Sequence, residues 1–310
     1  MPELPEVQTI VDDLNKKVIG RKITGVWFDA PKLIKKPKAA ELEKQIKGLK
    51  ITGIKRRGKN ILIYLDTDKR GLKTRINADK SGQMLLLVHQ KMTGHLLYGK
   101  WSIKKVVGHK SSVTSQIKGI MDDMANGYIH VIFYLDNEWQ IAFSDLRKFG
   151  KIIFDSKEKI ENSPDIAELG LDPFDKQLTF EKFREIILSQ KKAIKEVLMD
   201  QKLIAGIGNI YSDEILWMAK IHPLTPAKSL KVVQIKLIYA SIKKVLTKAL
   251  KLRGTSISDF RDAFGKLGFY ADVRYVYRKE GKPCSRCKTS IKRIKMKSRS
   301  AHFCPFCQKI

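Results

Sequence analysis

Four cysteines stand in two matched pairs near the end of the chain, Cys284-x2-Cys287 and Cys304-x2-Cys307, with 16 residues between the pairs. Each short turn can aim two thiolates at one ion, and two such turns on a hairpin complete a closed tetrahedral shell. The pattern predicts one structural zinc ion per chain. Disulfides or a redox pair fit two matched pairs poorly, and His302 is read as a hairpin histidine because four sulfurs already fill the shell. Between the pairs lie Lys292, Arg293, Lys295, Lys297 and Arg299. A basic hairpin made rigid by a metal suits contact with phosphates or a minor groove.

A second chemistry sits at the other end. Pro2 follows the initiator methionine, so removal of Met1 would convert its nitrogen from an unreactive tertiary amide into a secondary amine able to attack a carbonyl or a sugar C1′. A terminal amine with pKa near 8 has roughly 250-fold more free base at neutral pH than an ordinary lysine. Glu3 and Glu6, three residues apart, share one helical face and could move protons beside that amine, although acids also favour helix N-termini for electrostatic reasons alone. Two further segments suit phosphate. The turn Lys55-Arg56-Arg57-Gly58-Lys59 would aim an ammonium at a groove, and Gly206-Ile207-Gly208-Asn209-Ile210-Tyr211 opens a helix whose terminal amides could hold an anion.

The elements that must carry these groups follow from periodicity. Leu4, Val7, Ile10, Val11, Leu14 and Val18 have the spacing of an amphipathic helix that Gly20 can end. Segments 22–29, 60–66, 82–98, 128–136 and 138–155 are rich in β-branched and aromatic residues, which predicts a sandwich of antiparallel strands. From Thr179 the period changes to that of four helices, around 180–187, 194–198, 210–216 and 230–252. The expected organisation is an N-terminal sandwich domain at 2–155, a linker at 156–176, a helical domain at 177–253, a connector at 254–277 and a zinc ribbon at 278–310. The fold class is therefore multidomain α+β.

Composition narrows the partners. The 310 residues include 61 Lys+Arg against 32 Asp+Glu, a formal charge of +29, with 43% hydrophobic residues. That is a globular composition with a field attractive to polyanions. Residues 251–310 alone hold 16 Lys and Arg against 4 acids. No apolar run approaches the ~18 residues of a membrane span, and the Met-Pro-Glu-Leu-Pro-Glu start has neither the basic nor the apolar region of a secretory signal. No membrane partner is expected, and the expected location is the cytoplasm.

Taken together, these residues resemble the formamidopyrimidine-DNA glycosylase (MutM-type) family along nearly the whole chain. The resemblance rests on Pro2-Glu3-Leu4-Pro5-Glu6-Val7, Arg56-Arg57-Gly58-Lys59, His89-Gln90-Lys91-Met92-Thr93-Gly94, Asp145-Leu146-Arg147-Lys148-Phe149-Gly150, Leu198-Met199-Asp200, Gly206–Tyr211, Ile221-His222-Pro223 and the terminal cysteines, in the family's order. It implies a sandwich behind a catalytic N-terminal helix, a helix–two-turn–helix domain and a four-cysteine zinc ribbon. It also implies a bifunctional glycosylase and lyase, acting as a monomer on damaged double-stranded DNA, that excises 8-oxoguanine and formamidopyrimidines and then cuts the strand by β,δ-elimination.

By the same resemblance, Pro2 is the nucleophile, Glu3 its acid–base partner, Lys59 a catalytic lysine and Glu6 a supporting carboxylate. Met92, Arg147 and Phe149 fill the hole left by the extruded base, while Lys195, Asn209, Tyr277 and Arg299 grip phosphates. Segment 254–270 resembles the loop that covers an extruded 8-oxoguanine. The chain departs from the family pattern at Lys148, where a second arginine is common, at Leu267, where proline is usual, and at Arg278, where glycine is common. Segments 66–83 and 99–127 are longer than usual. The alternatives are an endonuclease VIII-like glycosylase for oxidised pyrimidines, against which Leu4 argues, and a non-catalytic zinc-ribbon protein that binds nucleic acid.

Overall fold

The computed structural model describes residues 1–66, 83–106, 110–119, 123, 126–257 and 260–309. Segment 67–82, and with it most of the first long insertion, lies outside the described residues. The chain divides into two units, residues 1–167 with 253–268 and residues 168–252 with 269–310.

The first unit begins with α1 (Leu4–Val18), whose apolar stripe Leu4, Val7, Ile10, Leu14 and Val18 is fully buried. Glu6 in its first turn and Lys16 and Lys17 in its last complement the helix dipole, and Gly20 ends it with φ +83°. There follow β1 (Ile23–Phe28), β2 (Ile34–Lys36), α2 (Ala39–Ile46), β3 (Lys50–Arg57), β4 (Asn60–Asp66), β5 (Gln83–His89), β6 (Gly94–Gly99), β7 (Trp101–Val106), β8 (Lys110–Ser115), β9 (Ile129–Leu135), β10 (Gln140–Asp145) and β11 (Lys151–Ser156). One sheet has the order β1-β9-β10-β6 and the other β2-β11-β5-β4-β3. Every pairing is antiparallel except β2 with β11. One core joins them: the α1 stripe meets Val131 and Phe133 of the first sheet and Ile61, Ile63, Leu86, Val88 and Phe154 of the second. Each such side chain contributes roughly 1.5–3 kcal/mol by leaving water.

Three features differ from the sequence reading. The expected strand blocks 82–98 and 138–155 are each two strands, broken at the turns 90–93 and 146–150. The helix α2 stands in a lysine-rich stretch where only Leu42 and Ile46 are buried, too short a stripe to signal itself. The stretch 156–176, expected as a linker, holds α3 (Lys157–Glu161), capped by the Ser156 hydroxyl, and α4 (Pro164–Ala167), both in the first unit. Part of the second long insertion forms the β7–β8 hairpin, whose Trp101 packs with Leu97, Ile129, Ile132 and Ala142.

The second unit contains α5 (Phe180–Leu188), α6 (Ile194–Met199), α7 (Asn209–Ala219), α8 (Val232–Lys251) and α9 (Tyr270–Val273), then the hairpin β12 (Lys292–Met296) and β13 (Arg299–Phe303). The Thr179 hydroxyl caps α5, and Lys220 at φ +60° ends α7. The central α7 is buried from Tyr211 to Trp217 because it packs against both α8 and β13. Among the described residues no helix is long and apolar enough to cross a membrane.

Candidate active site and nucleic-acid groove

Strand register gathers one end of the first unit. Asn60 of β4 pairs with His89 of β5, which pairs with Lys151 of β11. The turns just beyond that row, at 57–60, 90–93 and 146–150, therefore emerge together. Gly58 turns β3 into β4 with φ +57°, a conformation that suits glycine, and leaves Lys59 only 5% exposed. The same turn is tied to α1 by Arg56, whose Nε donates to Gln8 Oε1 at 2.8 Å.

At the head of α1, Pro2, Glu3 and Glu6 are all buried. Both Glu6 oxygens are committed: Oε2 accepts from the Glu3 amide at 2.8 Å and Oε1 from the Thr255 amide at 2.7 Å. Gly254, at φ +81°, allows this approach, since a Cβ there would lie 2.8 Å from Glu6 Oε1. The segment is anchored a second time by Arg253, which donates to Asp13 at 2.6 Å and to Asp262 at 2.5 Å. Asp262 in turn receives the amides of Phe264 and Lys266. Burial raises the Asp13 carboxyl pKa despite the guanidinium beside it.

His89, at the same end, is strongly perturbed. Burial, then the ammoniums of Lys91, Lys59 and Lys151, push its pKa down to about 3 against the opposing pull of Asp165. Its Nδ1 accepts the Lys91 amide at 3.0 Å, so the neutral ring carries its proton on Nε2 and is a donor among three cations. The linkage has a definite sign. The unfolded histidine titrates near 6.5, so this contribution to stability is complete above that pH. It falls by about 1.4 kcal/mol per unit as pH drops from there toward the folded value of about 3, because only the unfolded chain takes up the proton. Denaturant melts between about pH 4 and pH 6.5 are expected to show a shallower loss for His89→Gln than for the parent; equal slopes would refute the assignment.

Two of the turns are stitched into one support by Asp145, which is fully buried. Its Oδ1 accepts the Thr93 hydroxyl at 2.5 Å and the Arg147 amide at 3.3 Å, and its Oδ2 accepts the Gly150 amide at 2.7 Å. From this base Met92 and Phe149 protrude, 40% and 53% exposed, with the Arg147 guanidinium 4.5 Å from the Phe149 ring centre. Lys148, at a position where the resemblance implied arginine, has φ +54°.

The second unit holds a groove of 970 Å³ walled by Asn209, Tyr277, Arg278, Arg293, Lys295 and Arg299, among others. Gly208 opens α7 at its edge, and Asn209 Oδ1 is buried without a hydrogen-bond partner among the described residues. Tyr277 is fixed from behind: the fully buried Glu214 accepts the amides of Tyr275, Val276 and Tyr277 at 2.7, 2.9 and 2.9 Å. Burial nonetheless leaves the Glu214 pKa raised. Arg278 adopts φ +52°, which explains on conformational grounds why glycine suits that position.

Lys195, expected to grip phosphate, has a fully buried side chain whose ammonium donates to Asp213 at 2.5 Å and to the Ser300 carbonyl at 2.8 Å. Asp213 also accepts the backbone and ring nitrogens of His302, each at 3.0 Å. Lys195 thus ties α6 and α7 to the hairpin that presents Arg299, while Asn209, Tyr277 and Arg299 do share the groove.

The sulfurs of Cys284, Cys287, Cys304 and Cys307 lie within 4.8 Å of one another and form no disulfide. Four thiolates about 2.3 Å from a central zinc would be about 3.8 Å apart, so the donor set and its spacing fit that ion. His302 stands outside the shell, paired with Asp213.

Three family models match: the formamidopyrimidine-DNA glycosylase N-terminal domain over residues 1–152, the H2TH domain of the same enzymes over 169–261, and the zinc finger found in FPG and IleRS over 281–310. Formamidopyrimidine-DNA glycosylases of Pelotomaculum thermopropionicum and Protochlamydia amoebophila are each 36% identical, with 100% of both chains covered. The chain belongs to the formamidopyrimidine-DNA glycosylase family.

As a formamidopyrimidine-DNA glycosylase it is an enzyme that removes damaged bases, and lyase activity is characteristic of the family. Its cysteine cluster is the family's structural zinc site. Among solved structures, a variant of Lactococcus lactis FPG in complex with a Fapy-dG containing DNA has a TM-score of 0.82 at 31% identity, covering 100% of each chain. MutM in complex with carbocyclic 8-oxo-G containing DNA has a TM-score of 0.81 at 32% identity, with the same coverage. Sequence reasoning gave no role in this glycosylase to His89, Asp145, Asp213 or Glu214. The first two lie inside quoted motifs, which was a usable signal; the last two sit in α7 as ordinary helical acids and gave none.

Proposed function

We propose that this glycosylase excises oxidised purines from duplex DNA through an imine on Pro2. The observation that carries the reading is the buried head of α1. There the only residue that could offer a secondary amine adjoins Glu3, with the Glu6 carboxylate fixed by two backbone amides. With Met1 removed, the Pro2 nitrogen attacks C1′ of an extruded nucleotide, and the glycosidic electron pair leaves with the base as it is protonated. Glu3 moves protons as the sugar ring opens to an iminium. The iminium acidifies the C2′ proton, whose loss expels the 3′ phosphate; a second elimination expels the 5′ phosphate, and water releases Pro2. Lys59 follows the turn that Arg56 ties to α1, and proton transfer in these eliminations is the role assigned to it.

Exposed Met92, Arg147 and Phe149 support a hole-filling role: an apolar wedge and a guanidinium on one rigid base suit the stack and the unpaired partner base. Asn209, Tyr277 and Arg299 suit the phosphates of damaged DNA, with the protein acting as a monomer at the nucleoid. One solved relative is described as bound to an oxidised pyrimidine containing DNA, so the test includes pyrimidines. End-labelled duplexes carrying 8-oxoguanine, a formamidopyrimidine or an oxidised pyrimidine should be cut fastest at the purine lesions, leaving phosphate on both ends of the gap. Preferential cutting at the pyrimidine would replace this reading with the endonuclease VIII-like one.

A further inference from the structure

The first unit contains a cavity of 560 Å³ that the reaction described above does not use. It lies at the far end of α1: Lys17, on its rim, is thirteen residues from Leu4, about 20 Å along the helix. Its aromatic lining is Tyr98, Trp139 and Phe264. Tyr98 and Trp139 stack face to face, 4.7 Å between centres and 4° between planes. Lys17, Lys118 and Lys266 also line it, all exposed, and no carboxylate lines it among the described residues. Glu138, next to Trp139 in the chain, is already paired with Lys100 at 3.2 Å. The walls are firm: the Tyr98 amide donates to the Ala263 carbonyl at 2.6 Å, and Asn126 Nδ2 to the Gly265 carbonyl at 3.3 Å.

The half-buried Trp139 indole is braced by the Tyr98 ring and has the Lys100 ammonium, itself paired with Glu138, 5.7 Å from its ring centre, so a flat aromatic group stacks there in place of that ammonium. Three ammoniums around it favour an anion attached to that group. We propose that this cavity binds a nucleoside phosphate, the base stacked at Trp139 and the phosphate held by Lys17 and Lys118. The chemistry is common to a free nucleotide and to an unpaired end of a DNA strand. The proposal does not depend on the Pro2 mechanism.

The test is calorimetric titration of the full-length, zinc-loaded protein with dGMP, deoxyguanosine, inorganic phosphate and a six-residue thymidine single strand. dGMP or the strand should bind saturably, and deoxyguanosine and phosphate at least tenfold more weakly. Tighter binding of dGMP assigns a free nucleotide as the source; tighter binding of the strand assigns a strand end. The double variant Lys17→Glu, Lys118→Glu, which alters only exposed side chains, should weaken binding at least tenfold and leave excision from damaged duplex unchanged. Trp139→Ala should weaken it equally. Absence of saturable binding by either ligand, or a loss below tenfold in the double variant, would overturn the proposal whether or not Trp139→Ala folds.

Discussion

Borohydride should trap no covalent adduct between an abasic-site duplex and a form of this protein that keeps even one residue ahead of Pro2. A proline nitrogen inside a peptide bond has no lone pair to give, so an N-terminal extension removes the nucleophile without touching the fold. Trapped product should fall to below about 1% of that from the processed protein, whose first residue mass spectrometry should show to be Pro2. Pro2→Gly is the informative companion. It retains an unblocked primary amine at the same helix head, so it should trap at a reduced but measurable yield. Glu3→Gln should slow base release more than it slows cutting at a preformed abasic site, because only the former needs a closed nucleoside sugar opened by proton transfer, whereas an abasic sugar already samples its open aldehyde. Undiminished trapping by the extended protein would transfer the nucleophile elsewhere, and loss of that adduct when Lys59→Ala is added to the extended protein would point to the lysine as the attacking group.

Zinc removal has the second large effect expected. Structural zinc sites carry about 10–16 kcal/mol of apparent binding energy near neutral pH, more than a hairpin of two five-residue strands could supply from its own pairing. The hairpin β12–β13 carries Arg299, Ser300 and His302, and through Lys195 and Asp213 it is joined to α6 and α7. Loss of the metal should therefore dismantle the groove wall while the sandwich keeps its core. Cys304→Ser, at a fully buried ligand, should weaken binding to damaged duplex by at least 100-fold and raise hydrogen exchange across 284–307 with little change in β3–β5. Trp217, stacked on Tyr275 at 4.2 Å and beneath Arg286, should report the change in its fluorescence. Metal analysis should return one zinc per chain. A metal-free protein with unaltered DNA binding would exclude this role.

Patterns local to the chain determined much on their own. The cysteine pairs, the three-and-four stripe of α1, the change of period at Thr179 and the position of Pro2 are relations between residues a few places apart. Torsional preference and side-chain periodicity make such relations readable without a fold. Elements with weak local signatures escaped: α2 buries two apolar residues, and α3 and α4 are single short turns within an acidic stretch. Tertiary structure alone decided the rest. Thr255, 249 residues away, commits one Glu6 oxygen. Asp145 turns two separate loops into one platform, burial together with Lys91, Lys59 and Lys151 keeps His89 neutral, and the Ser300 carbonyl helps to bury an ammonium that charge alone would have placed on a phosphate. Burial, proton affinity and the choice between partner and solvent depend on which distant groups share a low-dielectric neighbourhood, and only the folded path of the chain sets that company.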